Sequence, residues 1–320
     1  MKTRRSRLLK WGSVVVAMAL AAGVFITGSS AQNTPAATPA PQPAFASAAE
    51  AGKALQAAAR AKNQEQVSLI LGPGAKEAIS SGDDTEDLAA LESFADRYDQ
   101  MNRWIIMTDG SQILAIGADN YRFPVPLVKD YTSKWRFDAA AGIVEMLDRR
   151  IGRNEILALD AASAIADAEE LYFQKNGQYT TRIISTPGKQ DGLYWPVAAG
   201  QPLSPLGNVE QFAPGAITDG AASSAGALNL DGYSFRILTA QGAAADGGTM
   251  SYLVNGKFTG GFAVVAAPLQ YLRSGVTTFI LNREGILYEK DLGGDTASTA
   301  AAITAYDPDQ TWNPVEDLDD

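Results

Sequence analysis

Residues 276–293 read VTTFILNREGILYEKDLG. Two stretches rich in β-branched, aromatic and aliphatic residues flank Asn282-Arg283-Glu284-Gly285. Such stretches suit the pleated, half-buried surface of a strand, and a glycine at the end of the turn supplies a positive φ. The run therefore reads as a β-hairpin. Glu284 falls in the turn as a solvated carboxylate, and Lys290 and Asp291 leave the second strand as a polar rim. The same device stands upstream in SYLVNGKFTGGFAVVAAP (251–268), where Asn255-Gly256 is a tight-turn dipeptide. In DGYSFRILTAQG (231–242), Tyr233, Phe235 and Ile237 alternate with Ser234, Arg236 and Leu238, the period of a half-buried strand. The last third of the chain is thus expected to be antiparallel sheet.

A long helix is expected ahead of that sheet, with Asn154 as its cap and its end at or before Asn176-Gly177. Leu157, Ala161, Ala164, Ala168, Leu171 and Tyr172 fall at helical spacing, and the alanine-rich middle allows a strand layer to approach closely. Asp160, Asp167, Glu169 and Glu170 read as a solvated helix face. Asp160 and Asp167 lie two turns apart, about 10 Å, and one helix does not bring them together as a catalytic carboxyl pair. Residues 187–228 carry little strand signal and read as a long loop region.

The first half has the opposite order. Ser47 and Glu50 form a capping-box pattern opening a helix over 48–62. A second helix, QEQVSLIL, stops at Gly72-Pro73-Gly74, and a third over 85–101 turns Leu88, Leu91, Phe94, Ala95 and Tyr98 to one side. Then the period changes. NRWIIMT and QILAIG are strands joined at Asp109-Gly110; FPVPLVKD, with two prolines, belongs at an edge or in an irregular stretch; SKWRFDAA is a further strand. Asp138 is placed to cap a helix ending near Gly152. The fold class is α+β, with one domain over 46–152 and a second over 153–310, followed by an acidic tail over 311–320.

Ahead of these, MKTRRSRLLKW carries five positive charges, an uncharged apolar run follows, and Ser29 and Ala31 occupy the positions before a cleavage point. This is the order of an export signal over residues 1–31. The protein is expected in the periplasm or outside the cell; an uncleaved, membrane-anchored segment is the alternative. Residues 32–45, rich in Pro and Ala, read as a tether. Without residues 1–31 the chain loses five of its 26 basic residues and none of its 36 acidic ones, leaving a net charge of −15. That surface repels phosphate backbones and disfavours nucleic acid as a partner.

There is no cysteine and no histidine. Disulfides, thiol chemistry, the usual zinc sites and Ser-His-Asp triads are therefore excluded. No cofactor and no metal are expected. Asp83-Asp84 and Glu86-Asp87 lack the alternating ladder of a calcium loop and read as helix-start carboxylates. Two candidate surfaces remain. In KQDGLYWP (189–196), Asp191, Tyr194 and Trp195 sit in a loop where aromatics suit binding or an inter-domain plug. In the first domain, Trp104, Met107, Trp135 and Phe137 suit either plain core or the lining of a cavity, with Arg103, Arg136 or Asp138 as its polar group.

Taken together, ILGPGAKE, FPVPLVK, WRFDAAAG, RRIGRNE, TPGKQDGLYWP, GYSFRILTAQG, YLVNGKFTGGFAV and the closing AYDPDQTW resemble a bacterial family of exported proteins of unknown function, DUF2950, over about residues 45–315. Thr186 stands where the family pattern has Ser. The resemblance carries no activity and no catalytic residue. Residues 46–152 also resemble the NTF2-like cone of helices and curved sheet. Residues 153–295 resemble the globular part of type IV pilins, on YFQKNGQYTT, GYSFRI, GFAVVAAP and TTFILNREGILYEKD. These imply a curved-sheet cone followed by a long helix packed on an antiparallel sheet. The expected function is a non-enzymatic binding or assembly module of the envelope, with an envelope protein as partner. The alternative is a small-ligand carrier or enzyme using the cavity of the first domain. A filled cone with an exposed Tyr194–Trp195 patch favours the first reading; an open pocket with an inward carboxylate favours the second.

Overall fold

The computed structural model describes residues 41–76, 84–197, 200–207 and 226–315. The export signal, most of the tether, Asp83, the middle of the long loop and the last five residues lie outside the described residues. Among the described residues no helix is long and apolar enough to cross a membrane.

The α+β class holds. Helices α1 (Ala48–Arg60), α2 (Gln64–Leu71) and α3 (Asp84–Gln100) precede a sheet of β1 (Asn102–Ile106), β2 (Gln112–Ile116), β3 (Tyr121–Arg122), β4 (Leu127–Lys129) and β5 (Trp135–Phe137). The strand order is β1-β2-β4-β5, with β3 on β2, all antiparallel. Ser47 accepts the Glu50 N–H at 3.2 Å, and the Glu50 carboxylate accepts the N–H of Ala46 at 2.8 Å, so α1 starts where its capping pattern stands. The two prolines lie between β3 and β4, outside both strands.

The fold begins earlier than the tether reading places it. Phe45 and Trp135 exchange backbone hydrogen bonds at 2.9 Å in both directions, adding to the β5 edge. The Gln42 amide donates to the carbonyls of Ile70, Leu71 and Phe137, satisfying orphan acceptors at the end of α2.

The largest departure is α4. Where two helices meeting near Gly152 are expected, a single helix runs from Ala139 to Asn176, 38 residues. Asp138 caps it as read, accepting the Ala141 N–H at 3.0 Å, and Gly177 ends it with φ +68°. Gly152 sits inside it in helical conformation. A helical glycine costs only about 1 kcal/mol relative to alanine, and packing on both sides outweighs that. Asn154 is no cap: it is buried and donates to the Ser274 carbonyl at 2.9 Å. A boundary at 152/153 thus falls inside one helix. The first core takes Ala139 from its start, and the second takes Ala158, Ala161, Ala162, Ile165, Ala168 and Tyr172 from its second half.

The second sheet contains β6 (Leu228–Leu230), β7 (Tyr233–Leu238), β12 (Ala263–Pro268), β13 (Thr277–Asn282), β14 (Leu287–Asp291) and β15 (Asn313–Pro314), in the order β15-β14-β13-β12-β7-β6, antiparallel throughout. Between β7 and β12 stand two small hairpins, β8 (Ala240–Gln241) with β9 (Met250–Ser251) and β10 (Leu253–Val254) with β11 (Lys257–Phe258). Phe235, Ala266 and Phe279 are cross-strand neighbours on the face toward α4. Arg236, on the opposite face, donates to the carbonyls of Ala300 and Ile303, closing the end of α5 (Thr296–Ala302). With helices on both faces, every residue of β12 is buried, which is why its sequence is continuously apolar. The β13–β14 hairpin turns at Gly285, φ +82°, with Glu284 exposed. Asn313 and Pro314, which the sequence reading leaves to the acidic tail, pair with β14 instead.

Candidate functional site

One face of α3 lines a cleft. Asp84, Asp87, Leu91, Phe94 and Arg97 recur at intervals of three or four residues, the spacing of neighbours on one helical face. All five line a cleft of about 880 Å³. Opposite them stand Leu55 of α1, Val67 and Leu71 of α2, Ile116 of β2, Phe123 just after β3, and Met146 of α4. The volume lies in the range of small-molecule sites, roughly 300–1,000 Å³.

The cleft is polarised along α3. Asp84 and Asp87 stand at one end, beside Glu65, and Asp87 is buried. Thirteen residues on, about 20 Å along the helix, Arg97 stands at the other. There its guanidinium donates to Asp119 at 3.0 Å and lies 5.5 Å from the centre of the Tyr121 ring. Arg149, one turn beyond Met146, lies 5.7 Å from the same ring. It is held by Glu145 at 2.7 Å and by the Arg122 carbonyl at 2.7 Å. Between these ends the walls are mostly aliphatic and aromatic, interrupted by Ser68 and Ser93, and Lys76 also lines the cleft. Such a site holds an elongated apolar body and meets polar groups at its ends.

The residues singled out in the first half lie elsewhere. Trp135 and Phe137 are buried core, and Lys129 lies over the Trp135 ring at 5.0 Å. Trp104 is half-buried and packs near Phe137, with ring centres 6.5 Å apart. Met107 and Arg103 are exposed. Arg136 is paired with Asp130 at 2.8 Å and donates to the Gln42 carbonyl, and Asp138 caps α4. None of them lines the cleft. Their strand positions gave the plain-core reading its strength, and the cleft formed instead on the helical side, where Leu91 and Phe94 read as an ordinary core stripe.

The loop candidates are drawn together but turned inward. Asp191 accepts the Thr186 N–H at 2.7 Å and its hydroxyl at 2.8 Å, with Arg182 at 4.0 Å. Burial opposes its charge, yet those bonds and Arg182 hold its carboxyl below the usual value. Tyr194 is half-buried and bridges to Ile184. Trp195 is 8 % exposed, with the Lys175 ammonium 5.5 Å above its ring. There is no exposed Tyr194–Trp195 patch; the pair closes the loop onto the end of α4.

Two buried carboxyls escaped the sequence reading. Glu155, Ala158, Ala162, Ile165, Glu169 and Tyr172 alternate steps of three and four and are all buried, beside Ala161 and Ala168 of the expected stripe; Leu171, read into that stripe, faces solvent at 51 % exposure. Glu155 accepts the N–H groups of Val276 and Thr277, both at 3.0 Å, and so pins the start of β13. Glu169, expected on a solvated face, is fully buried. Its Oε2 accepts the Thr180 N–H at 3.1 Å, while its Oε1 has no hydrogen-bond partner. Burial pushes this carboxyl up to about 8, against the lowering effect of the Thr180 bond and with Glu170 adding to the rise. Asp160 and Asp167 are exposed. Among the described residues no three acidic side chains are grouped to hold a metal ion.

With helices, two antiparallel sheets and an apolar cleft in place, the architecture is that of a two-core α+β protein with a ligand-sized cavity in its first half. Residues 42–315 match the family described as "Protein of unknown function (DUF2950)", and the chain belongs to that family. No curated protein and no solved structure gives a significant match.

Proposed function

We propose that this is an exported, non-enzymatic binding protein that carries an elongated, mostly apolar small molecule in the α1–α3 cleft. The observation that carries the reading is the cleft itself, lined mostly by aliphatic and aromatic side chains, with Asp84 and Asp87 toward one end of α3 and Arg97 toward the other. In this reading residues 1–31 direct export to the periplasm or beyond. The first half is an NTF2-like cone with the cavity enclosed among its helices and the edge of its sheet. The second half is a pilin-like helix-on-sheet module that stabilises α4 as its shared beam. The inward Trp195 speaks against a docking patch for an envelope protein on the 189–196 loop.

The test is a titration of the chain lacking residues 1–31 with the neutral fluorophore N-phenyl-1-naphthylamine. Saturable binding is expected, and Ala90→Trp, at an exposed position on the cleft wall, abolishes it by filling the mouth. Absence of saturable binding, or binding untouched by that variant, overturns the reading.

A further inference from the structure

Two guanidiniums lie over the Tyr121 ring, Arg97 5.5 Å and Arg149 5.7 Å from its centre. The aromatic ring holds both cations close to one point at the mouth of the cleft, where their mutual repulsion would otherwise part them. Each cation carries one carboxylate, Asp119 on Arg97 and Glu145 on Arg149. Two cations thus stand in balance with two carboxylates, in a chain whose total charge is −10.

Neither ion pair consumes its arginine. Arg97 uses one terminal nitrogen on Asp119, and Arg149 uses Nε on Glu145 and one terminal nitrogen on a carbonyl. Each guanidinium has five N–H donors in a planar fork, which suits two-pronged recognition of a carboxylate or phosphate. Both pairs are partly exposed, and such pairs contribute little to stability, so an incoming anion can displace either carboxylate cheaply. Behind the cluster the wall turns apolar at once with Phe94, Ile116 and Phe123.

Building on the cleft as the ligand site, we infer that its occupant is a single-chain amphiphile whose anionic head is held by Arg97 and Arg149 beside Tyr121, with its apolar tail running along α3. The carboxylates at the far end keep a second anion out and orient the chain in one direction. Asp119 acts as an intramolecular competitor for Arg97 in the empty protein.

The test displaces N-phenyl-1-naphthylamine with decanoate, decyl phosphate and 1-decanol, three ligands with one tail and different heads. At least one of the two anions is expected to displace at concentrations about tenfold lower than the alcohol, and the relative strength of the two identifies a carboxylate or a phosphate head. Arg97→Gln and, separately, Arg149→Gln bring the anion-to-alcohol ratio toward one. Asp119→Asn moves it the other way, raising anion affinity by freeing Arg97, an effect that loss of folding cannot imitate. Equal displacement by all three while the fluorophore still binds overturns the anionic head alone. A ratio unchanged in both arginine variants does the same. Failure of the fluorophore to bind the unaltered protein overturns the cleft and the head together.

Discussion

Thr180 donates its backbone N–H to Oε2 of Glu169 at 3.1 Å, while Oε1 of the same fully buried carboxyl has no hydrogen-bond partner. The charged groups around it offer no compensation: Glu170 adjoins it on α4 and raises its pKa, and the Arg283 guanidinium is bonded to Glu170 instead. Folding therefore takes up a proton at this site. A carboxyl raised from 4.5 to about 8 contributes stability that is fully present below pH 4.5. That contribution falls as the pH rises and is gone above pH 8. The slope between is up to about 1.4 kcal/mol per pH unit. Glu169→Gln removes this dependence. Urea unfolding from pH 5 to pH 9 is expected to show a flatter profile for the variant and higher stability at pH 8; identical slopes would refute the buried, neutral carboxyl.

Two glycines on α4 make opposite predictions. A Cβ at Gly152 meets nothing within 4 Å, so in a continuous helix Gly152→Ala stabilises by about 0.5–1 kcal/mol. A Cβ at Gly142 would stand 2.6 Å from Val125 Cγ2 and 3.0 Å from its Cα. Here the helix gain is overridden by overpacking, and Gly142→Ala destabilises by about 1–3 kcal/mol. Denaturant midpoints decide both, and a destabilised Gly152→Ala would mean that the helix breaks there after all.

Trp195 is a packing residue, covered by Lys175. Trp195→Ala is expected to cost about 3–5 kcal/mol, read as a drop in melting temperature. Lys175→Gln, which removes only the cation above the ring, is expected to cost about 1 kcal/mol or less. An alanine variant with an unchanged melting temperature would return Trp195 to the surface.

What the sequence discloses follows from the range of the forces involved. Local signals hold: the Asn255-Gly256 and Asn282–Gly285 turns, the Ser47 and Asp138 caps, and the alternation of β7 all stand where their residues put them. Gly152 misleads because a mild local penalty is decided by distant packing. Glu155 and Glu169 mislead because residue type argues for solvent while their positions on the buried stripe argue for core. The N–H groups of Val276, Thr277 and Thr180, 11 to 122 residues away, help make that burial tolerable. The cleft is hidden for a related reason. Leu91 and Phe94 look the same in sequence whether α3 closes on β2 or stands off from it.

The central claim is that this space receives a ligand. The most direct measurement is a methyl NMR titration of the chain lacking residues 1–31 with 1-decanol. Saturable shifts are predicted at Leu55, Val67, Leu71, Leu91 and Ile116, with Val264 and Ile280 of the second core unmoved. Shifts centred on the second core, or a drift across all methyls without saturation, would contradict it.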